Sequence, residues 1–315
     1  MKALLFTGVK EPLVYTDVNL PEYDDTFGVV QLNAAALNRR DYWITLGLYP
    51  NLRFPSVLGS DGCGVYEGEE VVINPSIHWG NDPRFYSDDY YILGMEEYGT
   101  FAEQVAVRKK NIYPKPAHLT AEQAAALPLA GLTAYRVLFS RCQAKAGEKV
   151  LISGVGGGVA LLACQFAIAI GADVYVTSGS EEKIEKAIAL GAKGGMNYKD
   201  PDAMKILQKA IGGFDVVIDS AGNVIDYGRR RRLFTGAARD AVMLHSPRCT
   251  WSGCDTTSSY CNADHTIDWQ HGGPTTTTNG GPLCPRHDRT KNRGYKLRRD
   301  PNGTWHTYRP DGTAA

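Results

Sequence analysis

The sequence predicts an α/β protein with a small α+β module behind it. Three observations carry this reading. Residues 1–115 break into short apolar runs punctuated by Gly and Pro, which predicts a domain built mostly of strands. Residues 149–178 read as strand, glycine turn, helix and strand, the repeating unit of a parallel sheet. Beyond residue 222 aliphatic side chains thin out, and Cys, His and Arg take their place. The expected domains are 1–116, 117–222 and 223–315.

In the first domain the strand-like runs are KALLF, VVQLNAAAL, GVYEGEEVVINP and FAEQVAV. Residues 117–141 then read as helix, opened by a capping box of Thr120 with Gln123 and continued by Ala124, Ala125, Leu127 and Leu132. KVLIS is a buried strand, Gly154, Gly156, Gly157 and Gly158 make a turn, VALLACQFAIAIGA is a helix with little polar surface, and VYVTS is the next strand. A glycine turn in this context lets the backbone approach a pyrophosphate, while the helix N-terminus supplies amides and the positive end of a dipole. Gly154, Gly157 and Gly158 are therefore candidate dinucleotide contacts in a Rossmann-type parallel sheet.

The end of the second strand selects the cofactor. An NAD site places a carboxylate there for the ribose diol; this chain has Ser178, Gly179 and Ser180, with Lys183 one turn later. Hydroxyls and an ammonium suit a 2′-phosphate, which favours NADPH. Lys183 has the alternative of a plain helix-surface lysine.

Charge divides the chain. Residues 1–222 hold 20 Lys and Arg against 26 Asp and Glu, a net of −6, and residues 223–315 hold 14 against 8, a net of +6. A basic segment suits an anionic partner, nucleic acid first, or is simply a solvated face. The N-terminus does not resemble a secretory signal and the longest apolar stretch is too short to span a bilayer, so a cytoplasmic protein with no membrane partner is expected. Cys63, Cys142 and Cys164 are scattered in apolar contexts and read as buried thiols.

The other four cysteines crowd the tail. Cys249 with Cys254, and Cys284 with His287, can supply four soft ligands to a tetrahedral structural zinc, which a segment this poor in aliphatic residues needs as a staple. Cys261 is the spare and could replace any of the four. LFTGAARDAVML reads as a short helix, NADHTIDW as a strand, QHGGPTTTTNGG as a loop, and PLCPRHDRTKN as a helix beginning at Pro282. Asp264 on the strand and Asp288 on the helix could grip one divalent cation, Mg or Mn, from two sides. His265 could then activate water against a phosphodiester. Arg229 to Arg232, Arg286, Arg289, Lys291, Arg293, Arg298 and Arg299 could contact phosphates.

Residues 1–222 resemble the medium-chain dehydrogenase/reductase superfamily in its zinc-independent, quinone-oxidoreductase-like branch. ALNRRDYWITLGLY, FPSVLGSDGCGV, GTFAEQVAV, AAALPLAGLTAY and the glycine turn carry the resemblance. It implies a GroES-like β domain ahead of the Rossmann-type sheet. It also implies Asn38 and Asp41 near the substrate and nicotinamide, and Thr133 at the nicotinamide end. As bland alternatives these three are turn and cap residues. The zinc-dependent branch has a cysteine at the position of Asn38 and Gly-His-Glu at Gly59, Ser60 and Asp61, and its four-cysteine lobe is also missing. The α/β pattern stops after about four strands, so a truncated sheet with an unpaired fourth strand and weak or absent reductase activity are expected.

Residues 224–313 resemble the C-terminal HNH endonuclease module of an actinobacterial repeat family, through GRRRRLFTGAARDAV, WQHGGPT, NGGPLC and GTWHTYRPDGT. The resemblance implies a ββα-metal zinc module, with His265 as general base, Asp264 as catalytic-metal ligand and Asn279 holding the loop and orienting His265. Asp288 stands where that family has His or Asn, a change that preserves metal binding, alters metal preference or reduces activity. The front segment has 13 Lys and 7 Arg, the tail 2 Lys and 12 Arg, which suggests a chimera joined near Gly222 to Val224. The leading expectation is a metal-dependent HNH endonuclease acting on DNA behind a reductase-like region whose NADPH binding is reduced or lost. The alternatives are an NADPH-dependent reductase of quinones or enoyl compounds with a passenger tail, and a non-catalytic zinc-stabilised nucleic-acid-binding module.

Overall fold

A computed structural model describes residues 1–81, 86–200, 202, 207, 211, 213–219, 224–226, 233–244, 246–300 and 303–315. The chain forms two compact units, Met1–Tyr135 and Arg136–Ala315.

The first unit is built on strands. Phe27–Ala36 is central, paired antiparallel with Asp61–Tyr66 on one side and Gln104–Arg108 on the other. Glu69–Ile73 and Ile112–Pro114 extend the sheet beyond Asp61–Tyr66. A second sheet joins Val14–Asp17, Lys2–Phe6 and Ser56–Val57. Period-two burial along Phe27–Ala36 sends Val30 inward beside Val71, Ile73, Leu93, Val105 and Val107, the core of this layer. The helix Ala121–Ala125 packs Ala124 and Ala125 onto Cys63, Ala34 and Val72. Its start is the expected capping box: Gln123 N donates to Thr120 Oγ1 at 3.3 Å, and Thr120 N to Gln123 Oε1 at 3.1 Å. The first compact unit continues through this helix to Tyr135.

The second unit contains a five-stranded sheet in the order Gly194–Asn197, Asp173–Ser178, Lys149–Ile152, Val216–Ile218, Val224–Asp226. The first four strands are parallel. Val150, Leu151, Ile152, Val174, Val176 and Val216 to Ile218 are all buried, the near-continuous apolar pattern of strands covered on both faces. The helix Gly158–Ala169 buries Ala160, Ala163, Cys164 and Ala167, one stripe at helical spacing.

Val224–Asp226 pairs antiparallel with Val216–Ile218. The fourth strand therefore has a neighbour, against the expectation of an unpaired edge, and backbone hydrogen bonding joins residues on either side of the expected seam. The expected boundary at 222 is likewise no break, since one compact unit contains both sides. Residues 220–223 of the seam itself and Arg229 to Arg232 lie outside the described residues.

In the tail, Gly236–Met243 is a helix that buries Ala238 and Val242. Asn262–His265 and Gly280–Leu283 form an antiparallel ribbon, followed by the helix Pro285–Lys291. Lys296–Arg299 and Trp305–Tyr308 form a second ribbon. Pro282 does not open the helix. It lies opposite Ala263 in the first ribbon, its carbonyl accepting Thr250 N at 2.8 Å, and Pro285 takes the first helical position. Close packing explains the glycines here: a Cβ on Gly280 would stand 2.5 Å from Val242 and one on Gly281 2.8 Å from Trp305. Among the described residues no helix is long and apolar enough to cross a membrane.

Candidate active site

The glycine turn is tied to the strands beside it. Ser153 N donates to Ile218 O at 2.8 Å, Val155 N to Thr177 O at 2.8 Å, and Gly154 N to Thr177 Oγ1 at 3.2 Å. Gly154 and Gly156 have φ of 68° and 122°, which side chains disfavour. Gly157 is the N-cap of Gly158–Ala169 and offers no side-chain cap, leaving the first amides of that helix for another acceptor. A Cβ on Gly157 would meet nothing within 4 Å, so the backbone there is open to a ligand.

Lys183 crosses this turn. A Cβ on Gly156 would stand 2.7 Å from Lys183 Cδ and 3.2 Å from its Nζ. Ser178 is buried at the strand end, its Oγ accepting Ser180 N at 3.3 Å, and Ser180 is the N-cap of the helix Glu181–Ala189. The carboxylates that follow in sequence are engaged elsewhere: Glu181 accepts from Asn197 Nδ2 at 2.8 Å and Glu182 pairs with Lys186 at 2.6 Å. Gly154, Gly157, Gly158, Ser178, Ser180 and Lys183 thus gather at one end of the sheet, with an ammonium and hydroxyls where an NAD site holds a carboxylate.

In the first unit Asn38 and Asp41 frame the start of the helix Arg39–Thr45. Asn38 N donates to Asp41 Oδ2 at 2.8 Å, the reciprocal half of a capping box. Asn38 Nδ2 donates to Asp61 Oδ2 at 2.9 Å, and Asp61 Oδ1 accepts Leu129 N at 2.8 Å. Burial pushes the Asp61 carboxyl up to about 7, against the hydrogen bonds from Asn38 and Leu129, and the neighbouring Asp41 adds to the rise. Asp41 is also raised, by burial first. Thr133 Oγ1 donates back to Leu129 O at 2.9 Å within its own helix.

Arg40, absent from the candidates read in the sequence, is buried beneath this group. Its Nη1 donates to Ser60 Oγ at 2.9 Å and Leu93 O at 3.3 Å, and its Nη2 to Ile92 O at 3.2 Å. It pins the segment that carries Ser60 and Asp61. The donor chemistry does not fit a catalytic zinc: Asn38 is an amide bound to Asp61, and Ser60 Oγ is committed to Arg40 and to Leu93 O at 3.0 Å.

The tail presents two further groups. Lys291 is a buried ammonium 2.6 Å from both Asp264 Oδ2 and Asp268 Oδ1, and it also donates to His265 O. It fills the cation role expected of Mg or Mn at Asp264, and it is not the phosphate contact read from the sequence. The spacing Cys284, His287, Lys291 places it on one helix face with the other two, a signal present in the sequence. Asp288 Oδ2 accepts Asn262 Nδ2 at 3.3 Å. His265 is buried, with Nε2 2.8 Å from Thr275 Oγ1 and its ring against Phe234 and Trp269. Asn279 holds the loop: Oδ1 accepts Ile267 N at 2.8 Å, and Nδ2 donates to Ile267 O at 3.0 Å and Pro274 O at 2.8 Å. Cys249, Cys254, Cys284 and His287 bring their ligand atoms within 4.8 Å of one another.

Known proteins match the segments that carry the first two groups. Residues 28–117 match the alcohol dehydrogenase GroES-like domain, and residues 158–228 match the zinc-binding dehydrogenase family. The zinc-type alcohol dehydrogenase-like protein YogA of Leptosphaeria maculans is 37% identical over 68% of this chain and 67% of its own. Among solved structures, an NAD-dependent alcohol dehydrogenase matches with 38% identity and a TM-score of 0.65 over 70% of each chain. The quinone oxidoreductase of Thermus thermophilus, also solved in complex with NADPH, matches with 32% identity and a TM-score of 0.58 over 69% of this chain and 66% of its own. The chain spans from about half to two thirds of the length of the curated relatives it matches.

These matches overturn the endonuclease reading: the relatives and solved structures are dehydrogenases and quinone oxidoreductases. The geometry gives the physical reason, since Lys291 occupies the charge partner of Asp264, and Asp288 is turned to Asn262. The catalytic roles expected for His265, Asn279, Asp264 and Asp288 fall with that reading. The comparisons give no support to DNA as partner, to a catalytic Mg or Mn, or to a chimera.

Proposed function

We propose, from the premise that the chain belongs to the medium-chain dehydrogenase/reductase family, that it reduces a small electrophile, a quinone or an enoyl compound, at the expense of NADPH and without a metal ion at the substrate. The observation that carries this is Lys183 lying across the glycine turn, beside a strand end of Ser178, Gly179 and Ser180 that lacks a carboxylate.

NADPH supplies the hydride when bound. The chain's own residues supply placement. Gly157 leaves backbone open for a pyrophosphate, and the uncapped first amides of Gly158–Ala169 face the same charge. Lys183, with Ser178 and Ser180, matches a 2′-phosphate in charge and in hydrogen-bond donors. Asn38 and Asp41 stand as the proposed substrate contacts. Asp61 is a positioning residue: by accepting one amide N–H it fixes which way the Asn38 carbonyl faces. Reduction of a quinone or of an enoyl double bond needs a hydride and a proton, and no Lewis acid is required of the Asn38, Ser60 and Asp61 group.

The test is oxidation of NADPH in the presence of 1,4-benzoquinone and, separately, of a small enone. Saturable oxidation that depends on the acceptor and prefers NADPH to NADH is expected. No acceptor-dependent turnover together with no saturable NADPH binding would contradict the proposal.

A further inference from the structure

The tail holds a cluster that the reductase chemistry does not use. Cys249 and Cys254 come from the loop before the first ribbon. Cys284 is the N-cap of Pro285–Lys291 and His287 lies in its first turn. The Cys284 Sγ to His287 Nδ1 distance is 3.3 Å and the Cys249 Sγ to His287 Nδ1 distance is 3.7 Å. A tetrahedral zinc with bonds of about 2.3 Å to sulfur and about 2.0 Å to nitrogen separates its ligand atoms by roughly 3.5–3.8 Å. All four atoms already fall within 4.8 Å of one another.

The surroundings are those of a built site. The Cys284 amide donates to Cys249 Sγ at 3.4 Å, the backbone hydrogen bond a thiolate accepts. The His287 ring stacks on Trp251 at 4.6 Å and 5°, which orients Nδ1 toward the sulfurs. The tail's remaining thiol is spoken for: Cys261 Sγ donates to Thr257 O at 3.4 Å. The small core here is Cys249, Cys261, Leu283, Cys284 and Leu297, so three of its five buried members are cysteines. That core offers little apolar area to hold the 249–254 loop against the helix.

We infer that Cys249, Cys254, Cys284 and His287 bind one structural zinc ion per chain. Four protein ligands close the coordination sphere, so the ion carries no substrate position. It would close the 30-residue span from Cys254 to Cys284, clamping the first ribbon between the two ligand pairs. The inference does not rest on the reductase reading, and neither outcome below bears on NADPH oxidation.

The experiment measures zinc by elemental mass spectrometry on the full chain, purified without a polyhistidine tag or chelator. One equivalent is expected in the wild type and in Cys261→Ser. His287→Cys, which offers a fourth thiolate, should keep it. Cys254→Ser with Cys284→Ser should lose it. Where that double variant does not fold, replacement of zinc by Co(II) in the wild type gives a second readout, the intense visible absorption of a tetrahedral thiolate site. Less than stoichiometric zinc in the wild type with no such absorption on adding Co(II), or full zinc retention by a folded double variant, would overturn the assignment.

Discussion

Asn38 Nδ2 donates to Asp61 Oδ2 across 2.9 Å, and the second oxygen of Asp61 accepts Leu129 N. The bonded carboxyl is nonetheless raised to about 7, because burial outweighs both hydrogen bonds. The folded state therefore keeps a proton that the unfolded chain releases near pH 4. This contribution to stability is complete below the unfolded value and is lost as pH rises through about 7. Urea midpoints measured from pH 4 to pH 8 should fall in the wild type, with a shallower fall in Asp61→Asn. Identical slopes in the two proteins would contradict the assignment.

Lys291 makes a different kind of buried pair. Its side chain is 4% exposed, while those of Asp264 and Asp268 are 25% and 32% exposed. Burial raises the Asp264 carboxyl even though Lys291 opposes it, so removing the ammonium leaves two poorly solvated carboxylates. Lys291→Met should cost about 2–3 kcal/mol by denaturant unfolding, less than the ~3–5 kcal/mol of a fully buried pair because water screens the two acids. The further substitutions Asp264→Asn and Asp268→Asn should recover part of that loss; no recovery would mean that Lys291 acts through packing alone.

Gly157 separates folding from binding. Its φ of −85° is ordinary and a Cβ would meet nothing within 4 Å. Gly157→Ala should thus shift unfolding by less than about 0.5 kcal/mol. The added methyl would stand where the backbone must approach a pyrophosphate, so KM for NADPH should rise several-fold. An unchanged KM would remove Gly157 from the cofactor site.

Local signals were the legible ones. Strand, glycine turn and helix from Lys149 to Ala169 follow from a run of neighbouring residues, as does the capping box of Thr120 and Gln123. Features without a periodic pattern, or with distant partners, were not. Val224–Asp226 is only three residues long, and its pairing with Val216–Ile218 has no periodic pattern to announce it. Two prolines three residues apart, Pro282 and Pro285, each suit a helix start. The ribbon partner Ala263 takes the first and leaves the second for the helix. Asp264 beside His265 suggested a cation site because sequence spacing shows ligands but not the ammonium that Lys291 brings to them. Arg40, next to two noted residues, was missed because its partners, Ser60 and the carbonyls of Ile92 and Leu93, are twenty or more positions away.

The central claim, an NADPH-dependent reductase, meets its most direct test at Lys183. The measurement is KM for NADPH and for NADH, with one quinone acceptor, in the wild type and in Lys183→Ala. Loss of one charge-assisted contact to a 2′-phosphate should raise KM for NADPH by roughly tenfold and leave NADH within about twofold. Equal effects on both nucleotides, or none on either, would contradict the account.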